Sequence, residues 1–328
     1  MSKVVISTQN LQKSFIVKKQ TLKAVDGVDL EVKSGEIFGL LGPNGAGKTT
    51  TLRMLATLLP IDGGEAKVVG YDVRKKPGEV RKHVGYVSQL GGADDEATGL
   101  EDLLLQGRLY GMSLPQAKAR AVELIRVLQL DGFAERKIKT YSGGQKRRLH
   151  VATGIMHKPD VLFLDEPTTG LDPQNRANLW EQVRQLRDAG TTIFLTTHYL
   201  EEADALGDRL AIMDNGKIVA EGTPHSLKSK IAGDALVIKP KDNGQKLDAI
   251  RTYLTNQPFV REGWIEGETM RLYVEDGPKA LPQIITLLET RGVAIETISL
   301  SQPSLDDVFL MQTGRSLRDA GKTEGVNL

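Results

Sequence analysis

Residues 35–55 read GEIFGLLGPNGAGKTTTLRML. Residues 36–41 are a short apolar run suited to a buried strand, and residues 50–59 carry apolar side chains at helical spacing. Between them, Gly42, Pro43, Asn44, Gly45, Ala46, Gly47, Lys48 and Thr49 fit the pattern G-x-x-x-x-G-K-[ST]. Strand, glycine loop and helix are the context that pattern needs. The glycines let the backbone curl so that several N–H groups point inward at phosphate oxygens. The helix start adds positive potential. Lys48 would reach the β- and γ-phosphates, and Thr49 would offer its hydroxyl to Mg2+. A glycine-rich turn with an exposed lysine is the alternative, and the flanking strand and helix argue against it.

Two further apolar runs end in polar groups. VLFLDEPTTGLDP, residues 161–173, suits a parallel strand covered on both faces and closes on Asp165 and Glu166. Open α/β sheets place ligands at that end of their strands. Asp165 would hold Mg2+, directly or through water. Glu166 would orient or deprotonate the attacking water. TTIFLTTH, residues 191–198, is another β-rich run, and its terminal His198 could hydrogen-bond a γ-phosphate or the water attacking it.

TYSGGQKRRLHVATG, residues 140–154, poses a different question. Its second half has helical spacing, yet it opens on Ser142 and two glycines. Ser142 is either a helix cap before a flexible turn or part of an anion site at a helix start. The basic run Lys146-Arg147-Arg148 reads as a solvated helical face.

Bulk composition narrows the classes. The chain has 328 residues, 40% of them hydrophobic, which fits one large domain plus a smaller one. Lys and Arg total 43 against 42 for Asp and Glu, so no nucleic-acid partner is expected. With no cysteine, disulfides, thiol catalysis and thiolate metal sites are excluded. The first residues lack the apolar core of a secretion signal, and no stretch approaches 18 uncharged apolar residues, so a cytosolic protein is expected.

Taken in order, the phosphate loop, YSGGQ, FLDEP, GLD and TTH resemble the ATP-binding subunits of ABC transporters over about residues 4–225. The resemblance implies a P-loop NTPase of α/β class, with a RecA-like core, an antiparallel β subdomain and a helical subdomain at about 92–150. Residues 4–34 and the hairpin RLAIMDNGKIVAEGT fit β elements, the latter around an Asn215-Gly216 turn. It implies ATP and Mg2+ as ligands. Phe15 would stack on adenine, and residues 42–49 with Thr50 would cradle the phosphates. Thr49, Gln89 and Asp165 would serve Mg2+. Glu166, His198, Gln89 and Lys48 would be catalytic. Two subunits would pack head to tail, so that Ser142, Gly143, Gly144 and Asp172 of one reach the ATP of the other. Both glycines would be needed because a Cβ would hold the backbone away. The commonest family form has Leu before Ser-Gly-Gly; Tyr141 stands here, and its effect is expected at the subunit boundary.

Beyond a linker expected at 226–235, residues 236–314 alternate as β-α-β-β-α-β, which suggests a small ferredoxin-like α+β domain, followed by a polar tail at 315–328. SLSQPSLDDVFLMQTGR resembles the C-terminal segment of the daunorubicin/doxorubicin-resistance type, whose ATP-binding subunits energise export through separate ABC-2-type membrane permeases. The expected partners are therefore a second copy or a paralogous cassette and such a permease, on the inner face of the cell membrane. The competing readings are a non-transport ABC ATPase acting on ribosomes or DNA, a nucleotide-bound scaffold without turnover, and the ATPase of an importer.

Overall fold

The apolar runs flanking the glycine loop and the two carboxylates become the middle of one sheet. The computed structural model describes residues 3–89, 91–229, 233–241 and 247–317. The chain divides into two compact units, the first ending at Glu221 and the second beginning at Gly222.

The first unit runs β1 (Val4–Val17), β2 (Gln20–Lys33), β3 (Ile37–Leu41), α1 (Lys48–Leu55), β4 (Gly63–Val68), β5 (Tyr71–Asp72), α2 (Pro77–His83) and β6 (Val84–Val87). It continues through α3 (Gly99–Leu109), α4 (Leu114–Val127), α5 (Gly143–Gly154), β7 (Val161–Asp165), α6 (Pro173–Asp188), β8 (Thr192–Thr197), α7 (Leu200–Leu206), β9 (Arg209–Asp214) and β10 (Lys217–Gly222). A six-stranded sheet has the order β10-β9-β3-β8-β7-β6. Pairs β9–β3, β3–β8, β8–β7 and β7–β6 are parallel. All of β3, β7 and β8 is buried, as two-sided coverage of a parallel sheet requires.

Alternation sorts these strands' side chains onto two faces. Phe38, Leu40, Phe163 and Phe194 join a core shared with α1 and the antiparallel sheet β2-β1-β4-β5. Ile37, Leu162, Leu164, Ile193 and Leu195 face a second core with the helices α3 to α7. Phe38 and Phe194 stack at 5.6 Å, fully buried, and burial of each such ring contributes about 1.5–3 kcal/mol. The parallel pairing also sends the carboxyl ends of β3, β6, β7 and β8 to one edge of the sheet. The hairpin at residues 209–222 extends this central sheet through β9, rather than joining the antiparallel one.

The second unit holds α8 (Pro224–Ser229), β11 (Asp234–Pro240), α9 (Leu247–Thr255), β12 (Val260–Glu266), β13 (Thr269–Val274), α10 (Gly277–Thr290), β14 (Ile295–Ser301) and α11 (Leu305–Thr313). Its sheet order is β12-β13-β11-β14, with antiparallel pairs, and one face packs on α9 and α10. Two boundaries differ from the sequence reading. Part of the expected linker is the helix α8, which packs on α11. The expected polar tail begins with buried residues: Ser316 and Leu317 are covered, and the Leu317 N–H donates to Asp306 at 3.0 Å. The rest of that tail, from 318, lies outside the described residues.

Candidate nucleotide site

The loop between β3 and α1 closes on itself around Lys48. Gly47 caps α1 with φ 104°, a left-handed conformation that glycine adopts freely, and a Cβ there would strike the Ala24 carbonyl. Gly45 faces open space. Gly42, Pro43, Ala46 and Gly47 are buried, Asn44 is exposed, and Thr50 is half-buried. Lys48 is 4% exposed and donates to the carbonyls of Gly42 and Pro43 at 2.8 and 2.9 Å. Burial pushes its pKa down, against the raising effect of Glu166 and Asp165.

The end of β7 meets that loop. The Thr49 hydroxyl donates to Asp165 Oδ1 at 2.8 Å, and the Thr196 hydroxyl donates to the same oxygen at 2.7 Å. Tyr86 reaches Oδ2 at 3.4 Å. Asp165 is almost wholly buried. Glu166 follows at φ 44°, a conformation uncommon for a residue with a Cβ, and its N–H donates to both the carbonyl and the hydroxyl of Thr196 at 3.1 Å. Strain of this kind collects at functional sites.

Four groups surround the Glu166 carboxylate. Lys48 Nζ lies 3.8 Å from Oε1, and His198 Nδ1 lies 3.2 Å from the same oxygen. The His198 contact is close but off the line of a hydrogen bond, and Nδ1 is otherwise unpartnered. Gln89 Nε2 and the Thr169 hydroxyl donate to Oε2 at 3.1 and 3.2 Å. Burial pushes the Glu166 pKa up, but His198, Lys48 and Thr169 more than offset it, and the net direction is down. Thus Lys48, Thr49, Gln89, Asp165, Glu166 and His198, expected from separate motifs, form one cluster.

A second group stands at two helix N-termini. Ser142 caps α5, accepting from the Gln145 N–H at 3.3 Å while Gln145 Oε1 accepts from the Ser142 N–H at 2.9 Å, a capping box. Asp172 caps α6 through the Asn175 N–H at 2.9 Å. Ser142, Gly143 and Asp172 are exposed, and Gly144 is buried. A Cβ at Gly143 would meet nothing within 4 Å, whereas one at Gly144 would come within 2.5 Å of the Asn175 side chain. A methyl on the first glycine would therefore stand in open space, whereas one on the second would press on Asn175 of the same subunit. Phe15 lies in the antiparallel sheet opposite Leu22, with Lys13 Nζ 5.6 Å from its ring centre.

Two sequence readings change, and one residue is added. Tyr141 does not face outward: it is 7% exposed, its hydroxyl donates to the Phe133 carbonyl at 2.6 Å, and its ring meets Phe133 edge-on. The basic run is not one solvated face. Arg147 is buried at 6% exposure, while Lys146 pairs with Asp95 and Arg148 lies over the Phe133 ring. Thr196 joins the site without having been singled out, and its signal is the polar Thr196-Thr197 pair that ends an apolar strand just before His198.

Comparison with known proteins covers both units. Residues 25–169 match the ABC transporter family, and residues 222–313 match the C-terminal domain of ATP-binding proteins like DrrA1-3. The chain is 43% identical to the daunorubicin/doxorubicin resistance ATP-binding protein DrrA of Streptomyces peucetius, over 97% of this chain and 98% of that one. It is 41% identical to the Nod factor export ATP-binding protein I of Cupriavidus metallidurans, over 90% and 94% respectively. Among solved structures, the dimeric post-hydrolysis state of the ATP-binding cassette MJ0796, bound to ADP and Pi, superposes with a TM-score of 0.62. That match has 25% identity and covers 66% of this chain and 98% of the other.

Proposed function

This chain belongs to the ATP-binding subunits of ABC transporters, and we propose that it is the ATP-hydrolysing subunit of an exporter for a drug, antibiotic or lipid-like compound. The observation that carries the reading is the single cluster of Lys48, Thr49, Gln89, Asp165, Glu166 and His198 at the carboxyl edge of the central sheet. The names of the relatives supply resistance and export as the direction of transport. In this proposal the cassette works on a separate ABC-2-type permease at the inner face of the membrane. Among the described residues no helix is long and apolar enough to cross a membrane.

The residues suit Mg-ATP. Among the described residues no three His, Cys, Asp or Glu side chains gather as a metal cage. Magnesium is instead commonly held by one or two protein oxygens completed by phosphates and water. Thr49 Oγ1 and Asp165 Oδ1 stand 2.8 Å apart. Adjacent ligands of an octahedral Mg2+ lie about 2.9 Å apart, given bonds of about 2.0–2.1 Å. Bound there, Mg2+ would neutralise charge developing on the phosphates. Lys48 would trade carbonyl partners for the β- and γ-phosphates. Glu166, ionised at neutral pH by its lowered pKa, would accept a hydrogen bond from the attacking water and hold it in line. His198 and Gln89 would fix that carboxylate and the γ-phosphate side of the water. Phe15 would stack on the adenine.

Ser142, Gly143 and Asp172 are exposed, and with the backbone N–H of Gly144 they form the second group. They would serve ATP held by a second copy or a paralogous cassette, packed head to tail. The test is light scattering of purified Glu166→Gln protein with and without Mg-ATP. A shift from monomer to dimer with Mg-ATP, lost on Ser142→Arg, is the expected result. A mass that ignores ATP in the presence of permease as well would overturn the two-subunit site.

A further inference from the structure

The Arg147 guanidinium is a buried charge that, among the described residues, has no carboxylate in hydrogen-bond contact; its bonds run to backbone carbonyls. Nε donates to Pro167 O at 2.6 Å, Nη1 to Ser88 O at 2.6 Å and Nη2 to Asp165 O at 3.1 Å. Burying such a charge is costly unless its donors are satisfied, and here every guanidinium nitrogen has an acceptor. Desolvation lowers its pKa to about 10, so it stays protonated at neutral pH.

Where those carbonyls lie gives the contact its meaning. Ser88 immediately precedes Gln89, which donates to Glu166. Asp165 and Pro167 flank Glu166, the residue at positive φ. Arg147 itself lies on α5, whose N-terminus presents Ser142 and Gly143 outward. One rigid planar fork therefore joins the helix that would serve a partner's nucleotide to the loops on both sides of the subunit's own carboxylate. A lysine, with one point of attachment, would not reproduce that geometry.

We propose that Arg147 is a positioning residue that couples the two half-sites of one subunit, fixing the pitch of α5 to the backbone around Glu166 and Gln89. The inference rests on the two-subunit reading above. When nucleotide moves the Gln89 or Glu166 segment, Arg147 carries the displacement to α5 through three bonds instead of through apolar packing that can slip. Loss of the fork leaves the phosphate loop intact and misplaces Ser142 and Gly143.

The test uses the full chain in the Glu166→Gln background and reads two quantities: affinity for Mg-ADP on the isolated subunit, and the Mg-ATP concentration for half-maximal dimerisation. Arg147→Met is expected to keep Mg-ADP affinity within about twofold while raising the dimerisation midpoint at least about tenfold. Arg147→Lys is expected to fall between, because it keeps the charge and loses the fork. A Met variant that dimerises at the parent's midpoint overturns the assignment and leaves the two-subunit reading standing. A parent that stays monomeric at saturating Mg-ATP overturns that reading, and the coupling with it. Should the Met variant fail to bind Mg-ADP, the Lys variant decides alone: parental affinity with a parental midpoint overturns the assignment, and parental affinity with a raised midpoint supports it.

Discussion

Lys48 and Glu166 face one another across the nucleotide site, Nζ 3.8 Å from Oε1, with side-chain exposures of 4% and 10%. The ammonium that would hold phosphate is thus already partly neutralised by the carboxylate that would hold water. Phosphate has to compete with Glu166 for it. Glu166→Gln removes the competing charge while keeping the shape. It is expected to tighten Mg-ADP binding about three- to tenfold, as one close charge in a shielded site affects its neighbours by on the order of 1 kcal/mol. Titration with Mg-ADP avoids turnover, and an unchanged Kd would show that Glu166 does not restrain Lys48.

The same carboxylate makes stability depend on pH. Its folded pKa lies below the ordinary glutamate value of 4.5. A depressed acid stabilises the fold above its unfolded pKa and loses that contribution as pH falls through the folded one. The melting temperature of the parent should exceed that of Glu166→Gln at pH 7, and the gap should close as pH drops below 4.5. A gap that widens in acid would reverse the sign of the Lys48 and His198 contacts.

Asp165 accepts from Thr49 and Thr196 through one oxygen. Asp165→Asn can still accept both bonds but carries no charge. The fold should survive with a melting temperature near the parent's, while the gain in nucleotide affinity on adding Mg2+ should disappear. Titrating ADP with and without Mg2+ reads this directly, and a persisting Mg2+ effect would move the metal elsewhere.

Much of this arrangement is legible in the chain because phosphate chemistry demands particular groups at fixed spacing. The glycines before Lys48 and the acids ending residues 161–166 announce themselves without neighbours. Arg147 does not, since Lys146-Arg147-Arg148 is a uniform charge run, and only the helical turn decides which of the three points inward. Tyr141 is hidden for a related reason: its outlet is Gly99, more than 40 residues earlier, where a Cβ would strike the Tyr141 hydroxyl. The helix α8 is hard to see because its residues 226–229 are few and mostly polar and read as a linker until α11 covers them.

That pairing of Tyr141 with Gly99 is testable. Tyr141→Phe removes the bond to the Phe133 carbonyl and should cost about 1 kcal/mol of stability. Tyr141→Leu also vacates space and should cost about 2–4 kcal/mol. Adding Gly99→Ala to the Leu variant should recover part of the loss, although Gly99→Ala alone destabilises the parent. Denaturant unfolding of the four proteins closes the cycle, and additive costs would mean the two positions do not share one space.

Gly143 and Gly144 separate structure from function most sharply. Both are helical, at the first positions of α5, where alanine ordinarily stabilises by roughly 0.5–1 kcal/mol. Gly143→Ala has open space around its new methyl. It should fold as well as the parent or slightly better, yet lose ATP-dependent dimerisation and hydrolysis, because the methyl would stand where a partner's γ-phosphate approaches. Gly144→Ala pushes into Asn175, which Asp172 holds through both its backbone N–H and its side-chain amide. It should lower the melting temperature, and Asn175→Ala should restore it. Melting curves and light scattering on the same four proteins decide the matter. A Gly143→Ala protein that still dimerises with Mg-ATP would mean that this helix start does not close over a nucleotide, and that its glycine marks only a turn.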